Sequence, residues 1–115
     1  MNKLYTPHSY KVATEAERNA VVNGCGSEDS KFDFVPDTIW GLNIRECCAR
    51  HDWMYHCGKT HKDKEKADRV FFYNMLRLIE NEGGWLQWLR ERRAYSYYKA
   101  VQIWGGKAFW KDKNQ

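Results

Sequence analysis

Two helix-forming stretches joined by only three residues constrain this chain more than any other feature. The first begins at Ile44, with Asn43 placed to cap it and Glu46 three residues on to complete a capping box, and it stops at Gly58. Thr60 and Asp63 repeat the capping pattern for the second, whose apolar residues are Ala67, Phe71, Phe72, Met75, Leu78 and Ile79, and which ends at Gly83-Gly84. A connection as short as Gly58-Lys59-Thr60 turns the second helix back along the first, so the pair is expected to be antiparallel. A third, aromatic helical region runs from about Trp85 to Trp104 and is ended by Gly105-Gly106. Upstream, residues 1–22 are polar, with a short helix expected from Glu15 to Val22. Residues 23–41 read as an irregular loop, with turn chemistry at Asn23-Gly24-Cys25-Gly26-Ser27 and at Val35-Pro36-Asp37. So long a loop in a small domain usually carries function. No convincing alternating strand is visible, which leaves room for a short hairpin at most. The expected fold is mainly α, in one domain spanning 1–115.

Charge is uneven along the chain. Lys and Arg against Asp and Glu number four and six in residues 1–40, eight and seven in 41–83, and seven and two in 84–115. The net charge of +4 is thus a basic C-terminal region on a nearly neutral body. That region also holds Trp85, Trp88, Trp104 and Trp110, and basic plus aromatic chemistry suits a lipid surface or stacked bases. The competing expectation is a helix that packs its rings inward and solvates its charges. An aromatic content of 16% argues against intrinsic disorder. No stretch approaches the roughly 18 apolar residues of a membrane span. The first ten residues hold no apolar run of signal-peptide length. The expectation is export by a non-classical route or a cytoplasmic location. Cys25, Cys47, Cys48 and Cys57 leave three readings open: one or two bridges, a metal site, or reduced thiols.

At about 100° per residue, Cys47, Cys48, His51, Asp52 and Tyr55 fall within an arc of roughly 140° on the first helix. Each can act as ligand, acid, base or thiol, where a solvated face would carry Lys and Glu. On the second helix Asp68 shares a face with Phe71, Phe72 and Met75. A carboxylate on an apolar face needs a partner, because burying an unpaired charge costs several kcal/mol or shifts its pKa. His51 on the antiparallel neighbour is one candidate, and Lys64 or Arg69 at the surface the other. A His oriented by an Asp is a general-base unit, and without a paired nucleophile it activates water. Asp52 can hold a hard cation through oxygen, with backbone carbonyls of the Gly24–Glu28 loop completing the shell.

The run Cys47-Cys48-Ala49-Arg50-His51-Asp52-Trp53-Met54-Tyr55 resembles the active-site helix of the phospholipase A2 superfamily, Cys-Cys-x-x-His-Asp-x-x-Tyr. Asn23-Gly24-Cys25-Gly26 resembles the Cys-Gly of its calcium loop, and Ala67-Asp68 the site of the carboxylate that pairs with the catalytic His. Together these cover residues 23–76, the expected catalytic core. The resemblance implies two antiparallel active-site helices, a preceding calcium loop and Ca²⁺-dependent cleavage of the sn-2 ester of glycerophospholipids. It implies that His51 is the base for water, Asp68 its orienting carboxylate, and Tyr55 a hydrogen-bond partner of Asp68. Asp52 would be the bidentate Ca²⁺ ligand, with carbonyls of Gly24, Gly26 and Glu28, and the Gly26 N–H would face the oxyanion. It also implies a Cys25–Cys48 bridge. Ser27-Glu28-Asp29 stands where the family commonly has further glycines, Val35-Pro36-Asp37 is an alternative source of ligands, and most disulfides of the secreted members are absent. These departures suggest a divergent microbial or viral-type branch.

The basic region 84–115 is the extra C-terminal element, with Trp85, Trp88, Arg92 and Trp104 as expected membrane-interface residues and a phospholipid surface as the expected partner. Two other readings compete, beside a phospholipase fold that has lost activity and only binds, against which the intact His51, Asp52, Asp68 and Tyr55 count. Cys47/His51 and Cys57/His61 are both spaced i,i+4, with His56 near, and suit structural zinc by ligand type. Arg90, Arg92, Arg93 and Lys99 among aromatic rings suit a nucleic-acid or partner-binding module, although no named motif is formed.

Overall fold

The structure, a computed structural model, describes residues 4–21, 35–111 and 113. Of the described residues 73% are helical, and the fold is mainly α with one small two-stranded sheet. The elements in order are α1 (His8–Val12), α2 (Glu15–Val21), β1 (Thr38–Ile39), β2 (Leu42–Asn43), α3 (Arg45–Cys57), α4 (His61–Glu82), α5 (Gln87–Trp104) and α6 (Gly106–Trp110). None of these helices is long and apolar enough to cross a membrane.

The capping box expected for α4 forms: Thr60 Oγ1 accepts from the Asp63 N–H at 3.1 Å, and Asp63 Oδ2 accepts from the Thr60 N–H at 3.1 Å. The box expected for α3 does not. Asn43 Oδ1 accepts from the Arg45 N–H at 2.8 Å, Ile44 becomes the N-cap residue, and the Glu46 carboxylate turns to Arg50 Nη1 at 2.7 Å. Asn43 is held in the hairpin, and Glu46 pairs with the i,i+4 cation Arg50.

Gly58 ends α3 as expected, but not through a left-handed turn. Its backbone is extended (φ −71°, ψ 154°), and a Cβ there would lie 2.7 Å from the Phe109 ring. The glycine is required by the ring of α6 that packs on it. Gly105 ends α5 as expected, and a further short helix, α6, starts at once from Gly106. The α6 turn exists because Phe109 (1% exposed) fills the space over Gly58 and Tyr55, with the Tyr55 and Phe109 rings edge-to-face at 5.1 Å.

α4 is the central element. His51 and Tyr55 of α3 meet Asp68 and Phe71 of α4, so α3 and α4 run antiparallel as expected. On its other side Phe72 stacks on Tyr98, and Lys64 reaches the carbonyl oxygen of Val101, so α5 runs antiparallel to α4 as well. Buried Phe71, Met75 and Ile79 of α4, with Ala94 and Val101 of α5 and Ile44 and Cys47 at the start of α3, form the core between them. The short helix α1 is an addition to the sequence reading. It is placed by tertiary contacts, Trp53 Nε1 donating to Ser9 Oγ at 3.0 Å and Tyr10 standing edge-on to Trp53 at 5.6 Å. The preceding segment is pinned by buried Asn74, which accepts from the Tyr5 N–H at 2.7 Å and donates to the Tyr5 carbonyl oxygen at 3.1 Å.

Candidate active site

Ile44, Cys47, Cys48, His51, Asp52 and Tyr55 are all buried, so the arc read from the sequence is the inward face of α3. Across from it α4 presents Asp68, with 1% of its surface exposed. Three groups converge on this carboxylate. His51 Nε2 lies 2.8 Å from Oδ1, the Tyr55 hydroxyl donates to the same oxygen at 2.6 Å, and Lys64 Nζ donates to Oδ2 at 2.8 Å. The sequence reading set Lys64 and His51 as rival partners for Asp68. The structure gives it both, one on each oxygen, because i,i+4 spacing on α4 brings Lys64 alongside while His51 enters from α3.

Burial pushes the Asp68 carboxyl upward, yet hydrogen bonds from His51, Lys64 and Tyr55 and the adjoining imidazole outweigh it and hold Asp68 below the usual carboxylate range. Burial pushes the Tyr55 hydroxyl well up, and the Asp68 carboxylate pushes it further, so Tyr55 stays protonated and donates. An ionised Asp68 accepts from the Nε2–H of His51, which leaves Nδ1 as the nitrogen able to exchange a proton. The ring cannot swing: its face stacks on Phe71 at 4.6 Å and 28°, and Tyr55 lies 4.2 Å away on the same helix. A Cβ at Gly105 would come within 2.6 Å of the Tyr55 hydroxyl, so this glycine is what lets the end of α5 close over the array. Lys64 ties that end down, donating also to the carbonyl oxygens of Val101 and Gln102, each at 3.2 Å.

Asp52, 1% exposed, follows His51 on α3, and its charge is felt at the Tyr55 hydroxyl. A buried carboxylate beside this imidazole is an oxygen donor of the type a hard divalent cation takes. The residues expected to complete that shell, Gly24, Gly26 and Glu28, lie outside the described residues, as does Cys25, the expected partner of Cys48. Of the alternative ligands, Asp37 is engaged with Arg45 at 3.1 Å.

The zinc pairs do not converge. Among the described residues no group of three or more His, Cys, Asp or Glu is arranged to hold a metal. Cys47 is a buried thiol whose pKa burial pushes up to about 12, whereas Cys57 is exposed at the far end of α3 and His61 packs edge-on to Trp110 at 5.2 Å. A thiol held that high is not a nucleophile near neutral pH. Iodoacetamide at pH 8 is therefore expected to label Cys57 in the folded protein and Cys47 only after denaturation. Prompt labelling of Cys47 in native buffer would contradict the burial described here.

Two roles escaped the sequence reading. Lys64 was visible as an i,i+4 neighbour of Asp68, but not as a bridge to α5. Gly105 carried no sequence signal beyond helix termination. Comparison with known protein families, with curated proteins and with solved structures finds no match to this chain.

Proposed function

We propose that this protein is a calcium-dependent hydrolase of the phospholipase A2 type, cleaving the sn-2 ester of glycerophospholipids. The observation that carries the reading is the buried His51–Asp68–Tyr55 array on two antiparallel helices, with Asp52 next to the base. In this reading Nδ1 of His51 takes a proton from water as its oxygen bonds to the ester carbonyl carbon. Asp68 holds the ring and stabilises the imidazolium that forms. When the tetrahedral intermediate collapses, the carbon–oxygen bond to the glycerol breaks and His51 returns the proton to the leaving alkoxide. Tyr55 and Lys64 keep Asp68 ionised and immobile throughout, which makes them positioning residues.

Asp52, with the carbonyls of Gly24, Gly26 and Glu28, would hold Ca²⁺, and the Gly26 N–H would face the oxyanion. The bound ion supplies positive charge at the ester carbonyl, where negative charge develops. The bridge between Cys25 and Cys48 belongs to the same reading and would tie the loop to α3.

Mixed phospholipid vesicles test the proposal. Fatty acid should be released in Ca²⁺ and not in excess EGTA, and Asp52→Asn should abolish the calcium-dependent turnover while keeping the helical circular dichroism spectrum. Equal release in EGTA, or full activity of Asp52→Asn, would remove calcium from the mechanism.

A further inference from the structure

We propose that the hairpin β1–β2 and the outer face of α5 form a docking surface for anionic phospholipid bilayers, built on Trp40, Trp88, Arg92 and Arg93. The starting observation is the turn. Strands β1 and β2 pair with Thr38 opposite Asn43 and Ile39 opposite Leu42, which leaves a two-residue turn, Trp40-Gly41. Both turn residues have positive φ, 46° at Trp40 and 81° at Gly41. A two-residue hairpin with two positive φ angles favours Asn or Asp at the first position, and a bulky residue there is strained. Trp40 nonetheless occupies it and is 48% exposed. Local preference is overridden to hold an indole at the tip of a turn, and such strain persists where the surroundings over-determine it.

The surroundings do so here. Arg90, buried in α5, donates to the carbonyl oxygens of Ile39 at 3.3 Å and Trp40 at 2.8 Å, and the Tyr97 hydroxyl donates to that of Thr38 at 3.0 Å. The hairpin is thereby fastened to α5 on its inner side, and Trp40 is fixed beside Arg93. The Arg93 guanidinium lies 5.3 Å from the Trp40 ring centre, and that of Arg92 lies 5.9 Å from the Trp88 ring centre. Two shallow cavities meet at this place and share Arg92 and Ser96, one walled by Trp40 and Leu89, the other by Trp88 and Tyr95. Trp85, 81% exposed, stands just before α5 at the same end. Trp104 is also exposed but lies about 24 Å further along the helix, at 1.5 Å per residue, so it belongs to the opposite end.

The chemistry selects the occupant. Stacking on an indole leaves guanidinium N–H groups directed at the solvent, where they suit phosphate oxygens. Exposed Trp rings favour the headgroup layer of a bilayer. Seven cations against two carboxylates in residues 84–115 attract an anionic surface.

This surface stands apart from the hydrolase reading, and its test needs no turnover. The full chain is mixed in EDTA with vesicles of phosphatidylcholine alone or of phosphatidylcholine with phosphatidylglycerol at low salt, and binding is read by sedimentation and by the blue shift of Trp fluorescence. The wild type should prefer the anionic vesicles. At about fivefold for each cation removed, Arg92→Gln/Arg93→Gln should bind them about 25-fold more weakly. Trp40→Asn, which places a turn-compatible residue at φ 46°, should retain the circular dichroism spectrum and a Tm no lower than that of the wild type, yet weaken vesicle binding about tenfold, equivalent to 1.4 kcal/mol. Binding within about twofold of wild type for both variants would overturn the proposal. So would tighter binding to a single-stranded oligonucleotide than to anionic vesicles under the same conditions.

Discussion

His51→Gln is expected to lower kcat on phospholipid by about 10²–10⁴-fold, the contribution of a positioned general base. Gln is the informative replacement because its amide can still donate to Asp68 across the 2.8 Å gap and fill the slot against Phe71, while offering no basic nitrogen. The far-ultraviolet circular dichroism spectrum and the denaturant midpoint should therefore move little while turnover collapses. Initial rates on vesicles in Ca²⁺, measured beside an unfolding curve, check both halves. Near wild-type kcat in a folded His51→Gln protein would remove His51 from the chemistry.

Asp68→Ala is expected to carry the largest cost to stability of any single change in the array. It strips one carboxylate from His51, Tyr55 and Lys64 together, and leaves the largely buried Lys64 ammonium without its counter-charge. Removing one member of a buried ion pair costs about 3–5 kcal/mol, much of the 5–15 kcal/mol that holds a typical domain folded. Urea unfolding should show a drop of this size, and a loss below about 1 kcal/mol, the scale of an exposed pair, would mean that the array is not the buried anchor described here. Asp68→Asn should cost less, since its shape is kept. The pH dependence has a definite sign. The folded pKa of Asp68 lies below its ordinary value of 3.8, so its contribution is present above that value and is lost as pH falls through the folded pKa. Wild-type stability should fall in that acid range, and the Asp68→Asn profile should be flatter there.

The helix pair was legible because its signals are local: Thr60 and Asp63 cap α4 through their own backbone, and three linking residues leave only an antiparallel return. The inward face of α3 was legible because residues suited to ligation or acid–base chemistry recur at helical spacing where Lys and Glu would otherwise sit. Other features depend on long-range contacts that local patterns do not carry. α1 is held by Trp53, and α6 exists because Phe109 packs on Gly58, 51 positions earlier in the chain. The hairpin escaped because its turn uses Trp-Gly in place of the Asn-Gly that marks such turns. The aromatic content of α5 suggested either an inward or an outward face, and the helix uses both. Tyr97 and Val101 pack inward, whereas Trp88, Tyr95 and Trp104 face solvent. Lys64 was read as competing with His51 because spacing along one helix shows a neighbour, but not the second carboxylate oxygen that accommodates it.

The most direct measurement of the central claim is the product composition from a phospholipid with two distinguishable acyl chains, incubated with wild-type and His51→Gln protein and analysed by mass spectrometry in Ca²⁺ and in EGTA. The wild type in Ca²⁺ should give sn-2 fatty acid and the matching lysophospholipid in equal amounts, and neither should appear from His51→Gln or in EGTA. Release of the sn-1 chain, release that persists in EGTA, or no release from the folded wild type would contradict that claim.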